Sequence, residues 1–157
     1  MMEKQKFPVT FRAATAADTA LILRFIRALA EYEHMSDDVV ADEATLTEWL
    51  FDKKKASVLF AVDADGKEVG FALYFYNFST FLGRAGVYLE DLFVLESERG
   101  KGYGKALLLK LKELAEAEGC GRLEWSCLDW NQPSIAFYKA LGAVSMDDWT
   151  TYRMKLV

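Results

Sequence analysis

The sequence predicts an α/β domain with one mixed sheet that carries helices on both of its faces. Three observations predict this fold class. Stretches typical of strands and of helices follow one another in the order β-α-α-β-β-β-α-β-α-β(β). A turn sequence at 64–66 separates two apolar strands. A glycine-rich loop at 100–104 joins a strand to a helix, which is where α/β sheets bind ligands. The length of 157 residues, without repeats or linkers, predicts a single domain over residues 1–157.

The first half of the chain supplies strands and two helices. The alternating segment at 9–15 predicts a strand. The capping-box pattern Thr15-Ala-Ala-Asp18 then precedes apolar residues at helical spacing, namely Ile22, Phe25, Ile26 and Leu29. Asp42 is a candidate cap for a shorter helix with Leu46, Trp49 and Leu50 on one face. The segments SVLFAV and EVGFALYFY flank Ala64-Asp65-Gly66 and predict a hairpin.

The second half begins with VYLEDLFV at 87–94, which is apolar enough for a central strand. The helix after the glycine loop places Leu107, Leu111, Leu114 and Ala115 on its buried face and ends at Gly119. RLEWSCL at 122–128 predicts another strand, and Pro133 suits the first turn of a helix that Gly142 stops. The alternation at 149–156 predicts a final strand, paired at an edge or in a hairpin.

Composition excludes several classes of protein. The net charge of −5 argues against nucleic-acid binding and suits cationic small molecules. No apolar run approaches the ~20 residues of a membrane span, and the N-terminal sequence lacks a secretory signal, so we expect a cytoplasmic protein without a membrane partner. Cys120 and Cys127 have no metal-ligand spacing, and His34 is the one histidine, so we expect no metal site.

The segment ERGKGYGKALL places Gly100, Gly102 and Gly104 on alternate positions. Its spacing fits neither the ATP-type P-loop nor the dinucleotide fingerprint. Bare backbone lets successive amides converge on a phosphate, and the positive end of the following helix attracts the same anion. A tight turn without a ligand would not need alternate glycines, because each glycine costs conformational entropy, so we prefer the phosphate-loop interpretation.

Three stretches together resemble the GNAT superfamily of acetyl-CoA-dependent N-acetyltransferases. They are LEDLFV, RGKGYGKALL and LEWSCLDWNQPSIAFYKALGA, with ATAAD and ALAEYE near the start of the chain. More narrowly they resemble the diamine (spermidine/spermine) and thialysine N-acetyltransferases. The resemblance covers nearly the whole chain and implies a GNAT-type single, mixed, mostly antiparallel central sheet with helices on both faces.

The resemblance also implies where acetyl-CoA binds. The strand end would pair its backbone with the pantetheine arm, the loop would hold the pyrophosphate, and the WNQPS segment would lie along the cofactor. The residues implied as cofactor-binding are Leu92, Phe93, Val94, Arg99, Gly100, Lys101, Gly102, Tyr103, Gly104, Lys105, Asn131, Ser134 and Tyr138. From the residues alone, Leu92 to Val94 are ordinary core residues, and a local turn residue is an equal alternative for Asn131.

Glu90 and Asp91 are adjacent on the predicted central strand, so we expect them to point to opposite faces. The resemblance places Glu90 at the acceptor amine. An alkyl ammonium titrates near ~10.4 and only the neutral amine attacks a thioester, so Glu90 can receive its proton, through a water. The alternative for Glu90 is a structural ion pair with an arginine. For Asp91 we favour a structural or substrate-orienting role.

Tyr138 is the candidate acid for the departing thiolate, by resemblance, while a tyrosine on a short amphipathic helix is usually a packed core residue. Tyr32 and Glu33 are implied as substrate contacts, and the alternative is a solvated helix end. One departure concerns the loop before LED. Ser79 and Phe81 stand where polyamine enzymes of mammals carry an acidic residue and a tryptophan, which favours a shorter amine than a long polycation.

The sequence therefore predicts an N-acetyltransferase that passes acetyl from acetyl-CoA directly to a small primary amine in a ternary complex. Cys127 could suggest an acyl-cysteine route, but no activating base accompanies it. The alternatives are a protein lysine or N-terminal acetyltransferase and a noncatalytic acyl-CoA-binding module. The resemblance and the apolar C-terminal strands imply a homodimer. The sequence does not name the amine.

Overall fold

The computed structural model describes residues 7–157, which fall into two compact units. Within that range, the first unit runs to Trp125 and contains the sheet and three α-helices, and the second runs from Ser126 to Val157 and contains one α-helix. The prediction of a single domain over residues 1–157 stays a prediction. Residues 1–6, which include part of the N-terminal sequence used for the cytoplasmic prediction, lie outside the described residues.

The strands are β1 (Thr10–Ala13), β2 (Ser57–Val62), β3 (Glu68–Ser79), β4 (Arg84–Val94) and β5 (Leu123–Trp125). They lie in the order β1-β2-β3-β4-β5, with β1 to β4 antiparallel and β5 parallel to β4. The helices are α1 (Thr19–Tyr32), α2 (Glu43–Thr47), α3 (Tyr103–Ala117) and α4 (Gln132–Ala140). The mixed, mostly antiparallel sheet confirms the predicted fold class.

Helix ends follow the predicted signals. Asp18 accepts a hydrogen bond from the backbone N–H of Thr15 at 2.8 Å, within a 3₁₀ turn that leads into α1. Asp42 accepts from the backbone N–H of Thr45 at 2.7 Å and caps α2. Gly119 and Gly142 directly follow the C-cap residues of α3 and α4. They adopt φ of +76° and +85°, which glycine adopts without steric cost.

The sheet of the first unit packs helices on both faces. On one face Ile22 and Phe25 of α1 join a buried cluster with Phe60, Phe71 and Phe93 of the sheet. The rings of Phe25 and Phe71 stack with centres 5.1 Å apart. On the other face α3 buries Leu107 and Leu111 completely. Strands β3 and β4 therefore lie between two apolar layers, which explains why their sequences are apolar almost throughout.

Three predicted elements differ from the structure. The strand at 122–128 is confirmed only over Leu123–Trp125, because its pairing with β4 ends there. The second helix is shorter than predicted and continues as a π-helical turn over Glu48–Asp52. The predicted strand at 149–156 is wrong: that segment pairs with no strand of the described chain, and Tyr152 is 91% exposed. Alternation of polarity makes a strand only where a partner strand supplies hydrogen bonds.

Candidate functional site

The sheet opens between β4 and β5. The two strands pair only from Val87–Leu123 to Leu89–Trp125, and from Glu90 to Val94 no strand of the described residues pairs with this side of β4. The other side of β4 stays paired with β3 throughout. The backbone of the predicted pantetheine-binding residues, Leu92, Phe93 and Val94, therefore lies along one margin of an opening in the sheet.

A β-bulge in β4 lies where this opening begins. Tyr74 of β3 is opposite Leu89, whereas the preceding Leu73 is opposite Asp91, so Glu90 is an additional residue in β4. Asp91 and Phe93 consequently share the α1 face of the sheet, and Leu89 lies on the α3 face. The expectation of opposite faces for Glu90 and Asp91 assumed regular alternation, which the bulge interrupts. Bulges commonly occur beside active sites, where they redirect a side chain.

Three carboxylates interact at this bulge. Burial, and to a lesser extent the charges of Glu90 and Glu33, together raise the pKa of Asp91 to about 7. Glu33 is the C-cap residue directly after α1, and burial raises its pKa as well. Glu90 itself is exposed. The structure thus brings together Glu33, Glu90 and Asp91, three of the predicted acceptor-binding residues, in a region of negative potential that suits an ammonium group.

The glycine loop follows β4 through a 3₁₀ turn at Glu96–Glu98. Gly100 and Gly102 adopt φ of +79° and +85°, and Gly102 is the N-cap of α3. Within residues 7–157, the backbone N–H groups of Gly100, Gly102 and Gly104 donate no hydrogen bond. Unpaired N–H groups at a helix N-terminus form an anion site, so the geometry of this loop fits a phosphate.

The side chains of the loop have different surroundings. Lys101 pairs with Glu98 at 2.8 Å, and Lys67 of the β2–β3 turn approaches the same carboxylate at 3.6 Å. The hydrogen bond from Lys101 lowers the pKa of Glu98. Tyr103 is buried. A Cβ on Gly104 would meet a Val94 methyl at 3.6 Å, which is ordinary packing between helix and strand. Lys105 lies in the first turn of α3.

The remaining predicted residues belong to the second unit. Asn131 is buried and is the N-cap of α4, where its side-chain oxygen accepts from the backbone N–H of Ser134 at 3.4 Å. Tyr138 lies on the same helix with its ring 5.4 Å from that of Phe137. The predicted alternative for Asn131, a local turn residue, is thus observed as a helix cap. The roles of Asn131, Ser134 and Tyr138 toward a cofactor stay predictions.

Sequence reasoning missed two features of the site. The first is Glu98, which holds Lys101; the spacing of three residues between an acid and a lysine is a signal for it. The second is an aromatic stack on Arg99, whose side chain lies over the rings of Tyr32 and Phe93. No local pattern reports this stack, since its three residues come from α1, β4 and the loop.

Other types of site are not found in residues 7–157. No group of three or more histidine, cysteine, aspartate or glutamate side chains in this range is arranged to hold a metal ion. Cys120 and Cys127 form no disulfide. None of the helices over these residues combines the length and the apolar character needed to cross a membrane.

Comparison with known proteins identifies relatives along most of the chain. The model of the acetyltransferase (GNAT) family matches residues 23–143. The thialysine N-epsilon-acetyltransferase of Bos taurus is 37% identical over 158 residues, which covers 94% of this chain and 92% of that protein. The L-ornithine N5-acetyltransferase of Arabidopsis thaliana is 42% identical over 85 residues, or 54% of this chain and 37% of that protein. A solved integron cassette protein from the mobile metagenome of V. cholerae has a TM-score of 0.77 at 30% identity, covering 94% of this chain and 92% of its own.

Proposed function

Because this chain belongs to the GNAT acetyltransferase family and is an N-acetyltransferase, we propose that it transfers the acetyl group of acetyl-CoA to a primary amine of a small cationic acceptor. The acceptor is a diamine, a polyamine or a lysine analogue such as thialysine. Transfer is direct, in a complex that holds both substrates. The observation that carries this proposal is the opening between β4 and β5, with the unpaired N–H groups of the glycine loop at one end and a carboxylate cluster at its bulge.

The loop supports the cofactor half of the proposal. The unpaired N–H groups of Gly100, Gly102 and Gly104 would hold the pyrophosphate, together with the positive end of the 15-residue helix α3. The unpaired margin of β4 offers backbone groups to the pantetheine arm, which carries amides of its own. Acetyl-CoA supplies a thioester, the activated form of the acetyl group.

The carboxylates support the acceptor half. Glu33, Glu90 and Asp91 would bind an ammonium group. The acceptors in the names of two relatives, thialysine and ornithine, each carry two amino groups. With Ser79 and Phe81 in the β3–β4 turn region, this chain lacks an acidic side chain at these two positions that could hold a third distant charge. A short diamine or diamino acid therefore fits better than a long polycation.

Proton transfer determines the roles of the side chains. The acceptor arrives as an ammonium ion, so Glu90, the exposed carboxylate of the bulge, takes one proton from it through a water. The neutral amine then forms the new C–N bond as the C–S bond breaks, and its nitrogen releases a second proton to solvent as the amide forms. Tyr138 gives its proton to the departing sulfur and regains one from solvent. Asp91 and Glu33 orient the acceptor and stabilise its positive charge.

We also propose that the protein is a cytoplasmic homodimer, without nucleic-acid or membrane partners. The basis for the dimer is the C-terminal segment, in which apolar side chains are largely exposed: Trp149, Tyr152, Met154 and Leu156. Large exposed apolar surfaces mark protein–protein contacts. Sedimentation equilibrium of the wild-type chain and of a variant shortened after Asp148 measures the oligomeric state: we expect a dimer that the truncation converts to monomer.

The function is tested by CoA release from acetyl-CoA with a panel of amines. We expect thialysine, ornithine or a short diamine to give the highest kcat/KM, and neutral or acidic amines of the same length to give much lower values. Glu33→Gln should reduce this preference while leaving the affinity for acetyl-CoA unchanged. A neutral hydroxylamine or an aryl amine as the best substrate would contradict the acceptor assignment, and exclusive activity on peptides would favour a protein acetyltransferase.

A further inference from the structure

Three groups hold the guanidinium of Arg99, the residue directly before Gly100. Its Cζ lies 4.7 Å from the ring centre of Tyr32 and 5.2 Å from that of Phe93. Its Nε donates a hydrogen bond to the carbonyl oxygen of Val94 at 3.2 Å. The two rings are themselves in contact, with centres 6.4 Å apart. The conformation of this long surface side chain is therefore fixed by the end of α1 and the end of β4.

The charge of Arg99 stays available for a ligand. Within residues 7–157 it forms no ion pair, and its two terminal nitrogens donate no hydrogen bond. The nearby carboxylate of Glu98 instead binds Lys101 and Lys67. The Arg99 side chain is exposed and precedes the unpaired N–H group of Gly100. Terminal guanidinium N–H groups beside backbone N–H groups match the oxygens of a diphosphate.

We propose that Tyr32 is a positioning residue that holds Arg99 in the conformation in which it binds the diphosphate of the cofactor. This inference rests on the proposed function and adds to it a link between the two substrates. Tyr32 ends the helix whose next residue, Glu33, belongs to the carboxylate cluster. The same turn of α1 thus contacts the cofactor side through Arg99 and the acceptor side through Glu33.

Positioning has a physical basis in side-chain entropy. An arginine has many rotamers in solution, and fixing them at the moment of binding costs free energy that weakens affinity. A stack that already fixes the side chain removes part of that cost. The loss of an exposed cation–π contact therefore corresponds to a fall in affinity of about two- to fivefold. Phenylalanine keeps the ring face that Arg99 contacts, whereas leucine removes it.

The experiment compares wild type, Tyr32→Phe, Tyr32→Leu, Arg99→Met and the double variant Tyr32→Leu/Arg99→Met, below the melting temperature of each. Calorimetry gives the Kd for CoA. Kinetics give kcat/KM for acetyl-CoA and for S-acetylpantetheine, a donor without the diphosphate. We expect Tyr32→Leu to raise the Kd for CoA about two- to fivefold, whereas Tyr32→Phe should keep the wild-type Kd. In the Arg99→Met background, Tyr32→Leu should cause no further rise in this Kd. In Tyr32→Leu, the kcat/KM for S-acetylpantetheine should fall less than the kcat/KM for acetyl-CoA.

Other outcomes separate this inference from the function on which it rests. A wild-type chain that does not bind CoA would contradict the proposed function. Wild-type binding with an equal loss for both donors in Tyr32→Leu, or with the same loss in the Arg99→Met background, would reduce Tyr32 to a packing or acceptor residue. Tighter CoA binding by Tyr32→Leu would mean that the stack holds Arg99 away from the diphosphate, and would overturn the inference.

Discussion

Replacing Gly100 with alanine tests whether the glycine loop holds a phosphate. Gly100 adopts φ of +79°, and a Cβ at this position would meet no atom of the chain within 4 Å. The substitution therefore creates no clash inside the protein. What it changes is the space beside the unpaired N–H groups of the loop, where the proposed pyrophosphate lies. Any loss of acetyl-CoA affinity then arises on the ligand side of the loop.

Two magnitudes follow from this geometry. A left-handed conformation costs a residue with a Cβ roughly 1–2 kcal/mol, which lowers the melting temperature of a chain of this size by about 2–8 °C. A hydrogen bond to a charged group contributes about 1.5–3 kcal/mol. Losing one such bond to the pyrophosphate raises the Kd for acetyl-CoA about 10- to 150-fold.

Gly119 provides a matched control at the other end of α3. Its φ is +76°, and a Cβ there would likewise meet nothing within 4 Å. We expect Gly119→Ala and Gly100→Ala to lower the melting temperature by similar amounts in scanning calorimetry, with only Gly100→Ala raising the Kd in titration calorimetry. Equal and unchanged Kd values in both folded variants would refute the phosphate-loop interpretation.

Three further changes test other parts of the account. Tyr138→Phe keeps the ring, so an acid role predicts a roughly 10²- to 10⁴-fold fall in kcat at an unchanged Kd for acetyl-CoA; a fall under about threefold would leave Tyr138 a packed residue. The pKa of Asp91, about 7, means that the cluster gains a negative charge as pH rises through neutrality, so KM for a cationic amine should fall across that range in wild type and stay flat in Asp91→Asn. Hydrogen bonds from Arg12 lower the pKa of Asp18 to about 2, so Asp18→Asn should lose about 1–2 kcal/mol of unfolding free energy at pH 7. Urea titrations should show this difference shrinking as pH falls from about 4 to 2. A difference that does not depend on pH would contradict this role of Asp18.

Local chemistry made much of the fold predictable. Capping by Asp18 and Asp42, the glycines after α3 and α4 and the turn at Ala64-Asp65-Gly66 are signals that neighbouring residues carry by themselves. The segment at 149–156 was predicted wrongly for the opposite reason. Its alternating sequence depends on a distant partner strand, and no sequence pattern guarantees one.

The candidate site likewise has features that the sequence predicts and features that depend on tertiary packing. The glycine pattern predicts the loop, and the family resemblance implies Glu33 and Glu90 as acceptor contacts. The structure brings Glu33 to the bulge beside Asp91. The bulge itself could not be predicted, because it depends on the register between β3 and β4. The stack of Tyr32 on Arg99 likewise joins residues far apart in sequence, so tertiary packing alone creates it.

The central claim is that this chain moves an acetyl group from acetyl-CoA to a small cationic amine without an acyl-enzyme. The most direct measurement mixes the wild-type protein with acetyl-CoA labelled with ¹³C in the acetyl group and thialysine, and quantifies products and protein by mass spectrometry. We expect one N-acetylated, labelled amine for each CoA released, and no labelled acetyl on Cys127 when the amine is omitted. Release of CoA without acetylated amine, or a labelled Cys127 that passes its acetyl group to added amine, would contradict the account.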